Sequence, residues 1–295
     1  MIKKIYTLGT SFTKGGGFEF DLENHGDSLR KLYSHIDDEK TQWSFSWPGQ
    51  LQKLFDKNKI KVEVINLAKS GYGNERLIRK TYETILDKSF KKEETLFLFE
   101  FSATGRKEFY NKELGYIVGN YHFTTDKRDS VFIVGEEEKE ISTNLHGLSK
   151  TYFEDDENTL EKLKKIEKVY SEYTSHAIDY KSCLKELSID CIGFLSFCDK
   201  MQINYSIVSR PFMEMDFQIE FFNKFFSEKS LEIVYDGKVT TDVYMFFDEH
   251  KLKIRDETNG QLNDGHGGYL GNKLFAEQLF EKVKNWPESL KNNLI

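Results

Sequence analysis

The sequence predicts an α/β fold: a three-layer sandwich around a central parallel sheet of about five strands. Three observations carry that expectation. Strand-length apolar runs alternate with amphipathic helical segments through KKIYTLG, SWPGQLQKLF, KVEVINLA, NERLIRKTYETILDKSF and TLFLFEFS, the order expected of a parallel sheet. The run TLFLFEFS is nearly continuous in apolar character, as a strand covered on both faces must be. Finally, the strand runs end in polar or glycine-rich turns, and ligands of open parallel sheets sit at the carboxyl ends of the strands.

Taken in order, the first strand stops at Gly9, and a long polar loop with a triple glycine occupies Lys14 to about Gln42. Ser46 followed by Trp47 and Pro48 is a helix start, because serine caps the first amides and proline tolerates the first turn. The second strand closes on Gly71-Tyr72-Gly73-Asn74, and Leu77, Ile78, Tyr82, Ile85 and Leu86 then share one helical face. From Ala103 to about Phe153 short aromatic and charged pieces predict an insertion with a β-hairpin or two. A helical stretch from about Glu157 to Lys200 follows, then NYSIVSRP as a fourth parallel strand, a Phe-rich helix after Met215, LEIVYD as a fifth strand and a closing helix from Gly268. The expected organisation is one domain over 1–295, with the span of about 105–200 able to form an inserted subdomain.

Composition narrows the function classes. The chain has 295 residues, 31% charged and 38% hydrophobic, enough to bury a substantial core. A net charge of −7 without a basic stretch argues against nucleic-acid binding. No run approaches the roughly 18 apolar residues of a membrane span, and MIKKIYTLGTSF lacks a signal peptide's apolar region. Cys183, Cys191 and Cys198 lack CxxC spacing and read as buried thiols, fitting a cytoplasmic location. No HExxH or His/Asp cluster indicates a metal, and no cofactor is expected. The Phe-rich helix reads as core.

The residues that carry chemistry lie at opposite ends of the chain. Gly9-Thr10-Ser11-Phe12-Thr13 ends the first strand, and Asp264-Gly265-His266 precedes the last helix. A serine hydroxyl needs a base to become a nucleophile at neutral pH, and that base needs a group to orient it. Each piece alone is an ordinary turn or cap. Their order along one α/β frame sets them apart. Gly9-x-Ser11-x-Thr13, Asn66-x-x-x-x-Gly71 and the Asp264/His266 block followed by Gly271 and a helix together resemble the SGNH/GDSL hydrolase family.

That resemblance implies a flavodoxin-like arrangement with Ser11 as nucleophile and His266 as general base. Asp264 is the favoured orienting carboxylate. The commoner D-x-x-H register would instead put Asn263 there, and a backbone carbonyl, or Asp256 or Glu257 from the preceding loop, could substitute. The backbone N–H groups of Ser11 and Gly71 would bind the oxyanion. The family's third donor is an asparagine after the third strand, and none stands in Glu100–Arg106. Ser102 or Thr104 could replace it, or Asn74 from the neighbouring turn; losing one such donor costs about 3 kcal/mol of transition-state stabilisation. Arg106 is a candidate for holding a substrate carboxylate or sugar substituent.

The activity expected from the resemblance is hydrolysis of a small acyl ester, an O-acetyl group on a carbohydrate in the first instance. An O-acyltransferase would use the same residues, and the absent asparagine leaves room for a non-catalytic glycan- or protein-binding descendant. The expected partner is a small-molecule or carbohydrate ester, with neither nucleic acid nor membrane.

Overall fold

The structure is a computed structural model describing residues 1–15, 43–69, 73–102, 105–111, 115–123, 128–134, 141–143, 165, 180–211, 216–250 and 267–286, and every structural statement concerns these. The centre is a parallel sheet of four strands: β1 (Lys4–Leu8), β2 (Glu63–Asn66), β3 (Thr95–Glu100) and β8 (Tyr205–Ser209). Their order across the sheet is β2-β1-β3-β8. This is the α/β class the sequence predicts, with the first strand inside the sheet and the second at its edge.

Strand β3 shows how the layers form. Leu96 and Leu98 face one core cluster, with Trp47, Leu51, Phe275 and Leu279, whereas Phe97, Phe99 and Phe101 face a second, with Leu77, Phe194, Leu195 and Phe222. Side chains alternate across a strand, so a run apolar at every position needs cover on both faces. That cover comes from α2 (Trp47–Lys57) and α7 (Tyr269–Val283) on one side. On the other it comes from α3 (Asn74–Leu86), α4 (Tyr180–Lys200) and α5 (Asp216–Phe225). Each fully buried Phe or Leu contributes about 1.5–3 kcal/mol relative to exposure.

The predicted start of α2 is present: Ser46 caps it, its Oγ accepting from Gly49 N at 3.3 Å, and Pro48 lies in the first turn. Between β3 and α4 the chain makes an antiparallel meander, β4 (Gly105–Asn111), β5 (Gly115–Phe123), β6 (Arg128–Val134) and β7 (Ile141–Thr143). This is a sheet larger than the one or two hairpins expected. Glu108 of β4 fastens it to α3: Arg79 Nε and Nη2 donate to its two carboxylate oxygens at 2.8 and 2.7 Å, and its own N–H donates to Glu75. A forked guanidinium-to-carboxylate pair fixes orientation as well as distance.

Two expectations are corrected. The predicted fifth strand LEIVYD does not extend the parallel sheet. Ser230 forms a single parallel bridge to Ile207, and β9 (Ile233–Tyr235) then turns back on β10 (Lys238–Thr240) as a hairpin. Asp236 (φ 49°) and Gly237 (φ 73°) supply the left-handed corner, a turn signal stronger than strand propensity. The Phe-rich helix α5 is only half core. Phe222 and Phe226 are buried, but Phe221 and Phe225 are 41% and 48% exposed, because neighbouring residues on a helix point about 100° apart. Cys191 and Cys198 are buried free thiols, as expected; the side chain of Cys183 lies outside the described residues.

Candidate active site at the carboxyl edge of the parallel sheet

The carboxyl ends of β1, β2 and β3 meet around one helical turn. After Leu8 the chain passes Gly9 and Thr10 into α1 (Ser11–Lys14), closed by Lys14 N–H to Thr10 O at 3.0 Å. Gly15, at φ 88°, ends it in the left-handed region that glycine adopts most readily.

The last residue of β3, Glu100, is buried beneath this turn. Its Oε2 accepts from Thr10 N at 3.2 Å and Thr13 N at 2.8 Å, and its Oε1 pairs with Thr10 Oγ1 at 2.5 Å. In an ordinary capping box two side chains share the task of satisfying the cap residue's amide and the amide three residues on. Here a single carboxyl from the neighbouring strand does both. Gly9 permits the approach, since a Cβ there would stand 2.5 Å from Glu100 Oε2. The β3–β8 register also shifts at Glu100, an irregularity of the kind that re-aims a side chain. Burial pushes the Glu100 carboxyl above its ordinary range, against the pull of the hydrogen bonds from Thr10 and Thr13.

From the other side, Asn66 at the end of β2 ties the turn down. Its Oδ1 accepts from Thr7 Oγ1 at 3.1 Å and Ala68 N at 3.0 Å, while its Nδ2 donates to Thr13 O at 3.0 Å. Lys69 N donates to Gly9 O at 3.2 Å, carrying the β2 loop against the first residue of the G-x-S segment. Further along, Asn74 and Ser102 join the β2 and β3 exits: Ser102 N donates to Asn74 Oδ1 at 2.6 Å, and Asn74 Nδ2 to Ser102 O at 3.3 Å.

The C-terminal part arrives from the opposite flank. Phe12 stacks on Phe247 of α6 (Val243–Glu249), ring centres 6.5 Å apart, and meets Tyr244 edge-on at 5.6 Å. Gly267 packs on the same Phe247 ring so closely that a Cβ there would lie 2.5 Å from it. Asn272, buried in α7, then holds the strand of chain leading into its own helix. Its Nδ2 donates to Gly267 O at 2.7 Å and Gly268 O at 3.1 Å, and its Oδ1 accepts from Trp47 N at 3.0 Å. The residues directly following Ser11 and His266 thus touch one side chain.

The sequence candidates fall as follows. Ser11 opens α1, although its side chain lies outside the described residues, as do Gly71, Thr104, Asn263, Asp264 and His266 and the alternatives Asp256 and Glu257. Arg106 is on β4 opposite Asn120, its side chain likewise undescribed. Asn74 and Ser102 are described, buried and bonded to one another. The sequence assigns no role to Glu100 or Asn272, and Asn66 enters only as the first residue of the Asn66-x-x-x-x-Gly71 motif. A carboxylate inside the apolar run TLFLFEF is the signal that marks Glu100, because a buried strand carries a charge-bearing group only where it has partners. Among the described residues no helix is long and apolar enough to cross a membrane.

No family model and no curated protein sequence matches the chain. Among solved structures, the chain is similar to the psychrotrophic esterase EstA from Pseudoalteromonas sp., in a structure inhibited by monoethylphosphonate. The likeness is 10% identity and a TM-score of 0.42, over 97% of this chain and 99% of that one.

Proposed function

We propose that the protein is a serine ester hydrolase of the SGNH type. Ser11 is the nucleophile, His266 its general base and Asp264 the carboxylate that orients the imidazole. The observation that carries this reading is the shared Phe247 contact: Phe12 and Gly267, the chain neighbours of Ser11 and His266, pack on the same ring. Phe12 and Gly267, 255 positions apart (267 minus 12), thus meet at one ring, and this contact supports a joint role for the residues that precede them.

In the proposed reaction Ser11 Oγ attacks the ester carbonyl carbon as its proton passes to His266. The tetrahedral oxyanion is met by the N–H groups of Ser11 and Gly71. Collapse breaks the bond to the alcohol, which leaves with the proton from His266, and water releases the acyl group by the same steps. Both ends of the Asn74 carboxamide are bonded to the Ser102 main chain; Asn74, Ser102 and Thr104 remain the candidates for a third donor. The substrate is a small acyl ester, an O-acetylated carbohydrate being the first choice, with Arg106 available to a substituent. Hydrolysis of p-nitrophenyl acetate should fall to the uncatalysed rate in Ser11→Ala. Equal rates for the two proteins would remove the assigned nucleophile.

A further inference from the structure

Glu100 sits where a carboxyl group has no direct part in ester hydrolysis, yet the Ser11 turn is built on it. Its Oε2 binds the N–H groups of Thr10 and Thr13, and its Oε1 the Thr10 hydroxyl. The carboxyl thus fixes the turn at its entry and at its third residue, on either side of Ser11. Asn66 fixes the same turn through Thr13 O, so the segment is gripped from β2 and β3 together. We infer that Glu100 is a positioning residue, whose hydrogen bonds to Thr10 and Thr13 hold Ser11 in its reacting geometry. The inference rests on the serine-hydrolase reading above and adds a residue to it.

The hydrogen-bonding pattern predicts which replacements succeed. Glutamine preserves the clamp: its single oxygen can accept both backbone N–H groups and its amide N–H can donate to Thr10 Oγ1. Leucine fills similar space and offers no acceptor. A structural role alone would lower the folded fraction without changing how fast folded molecules react.

The test is the rate of covalent labelling of Ser11 by a fluorophosphonate, located by peptide mass spectrometry, with the labelling endpoint counting competent molecules. Glu100→Leu should label about a hundredfold more slowly per competent molecule, the size expected when a reacting group shifts by about 1 Å. Glu100→Gln should stay within about threefold of the unaltered protein, since the net worth of one altered hydrogen bond is small. Should Glu100→Leu not fold, Gly9→Ala carries the test. Its Cβ would meet Glu100 Oε2 and Cβ and Thr13 Oγ1, forcing the carboxyl and the turn apart while all their hydrogen-bonding groups remain, and labelling should slow.

Unchanged rates in Glu100→Leu, or in Gly9→Ala where that variant stands in for it, overturn the inference. So does a Glu100→Gln variant as slow as Glu100→Leu. Absence of Ser11 labelling in the unaltered protein instead overturns the hydrolase reading on which the inference stands.

Discussion

The two halves of the candidate site are held in different ways. On the Ser11 side the grip is polar: Glu100 and Asn66 reach from adjacent strands and bond the backbone of a single turn. On the His266 side it is mainly steric. Gly267 lies flat against Phe247, and one amide, Asn272, holds the backbone immediately after it. The difference follows from the chain path. The Ser11 turn leaves a strand inside the sheet, so it has strand ends on both sides to bond to. Gly267 and Gly268 lead into α7 and meet the side chains of Phe247 and Asn272, which belong to helices. The turn at residues 10–13 is thus held by hydrogen bonds, and Gly267 mainly by packing.

Among the described residues, Phe247 is a side chain that Phe12 and Gly267 both touch, so its removal should have the largest effect. Phe247→Ala empties a fully buried position between Phe12, Phe246, Phe275 and Gly267, a change that typically costs about 3–5 kcal/mol. Urea denaturation should show that loss, and p-nitrophenyl acetate hydrolysis should fall even well below the new midpoint. Full activity in the folded variant would mean that the two halves do not depend on their common ring.

Asn272→Ala should act on the histidine side alone. It removes the acceptor for Trp47 N and the donor to Gly267 O and Gly268 O. Each buried group left unpaired costs about 1–3 kcal/mol, and water reaching the site would recover part of it. We expect a loss of about 3 kcal/mol in urea denaturation and slower hydrolysis. A stable variant with normal turnover would show that packing on Phe247 suffices to hold the base.

How much of this was legible in the sequence depended on whether the signal was local. Strand β3 announced itself because six consecutive residues are buried, and α2 because Ser46 and Pro48 form a start signal on their own. Phe12–Phe247 and Asn272–Trp47 are contacts between residues more than 200 apart, set by tertiary packing, which leaves no periodicity to read. Glu100 lay between: its oddness inside an apolar run was visible, but its partners Thr10 and Thr13 were not. The LEIVYD segment failed for the opposite reason, since its alternation fitted a sheet strand equally well as a hairpin, and Asp236-Gly237 decided for the hairpin.

The smallest effect expected is also the most specific to the polar half. Burial raises the Glu100 carboxyl above its ordinary value of 4.5 in the folded protein. In the unfolded chain it titrates normally. Between those two values the folded state therefore binds more protons than the unfolded state, and stability declines as pH rises. The contribution is fully present below the unfolded value and is lost as pH climbs through the folded one. Glu100→Gln keeps the three contacts and cannot titrate. The stability of the unaltered protein relative to this variant should accordingly fall as pH increases from about 4.5 towards neutrality, measured by urea denaturation at each pH. The same slope should survive in Asn272→Ala, whose lesion is on the other half. A difference that grows in favour of the unaltered protein at higher pH would show that the Thr10 and Thr13 bonds outweigh burial and hold Glu100 charged. A slope lost in Asn272→Ala would show that the polar and the steric grips are one unit rather than two.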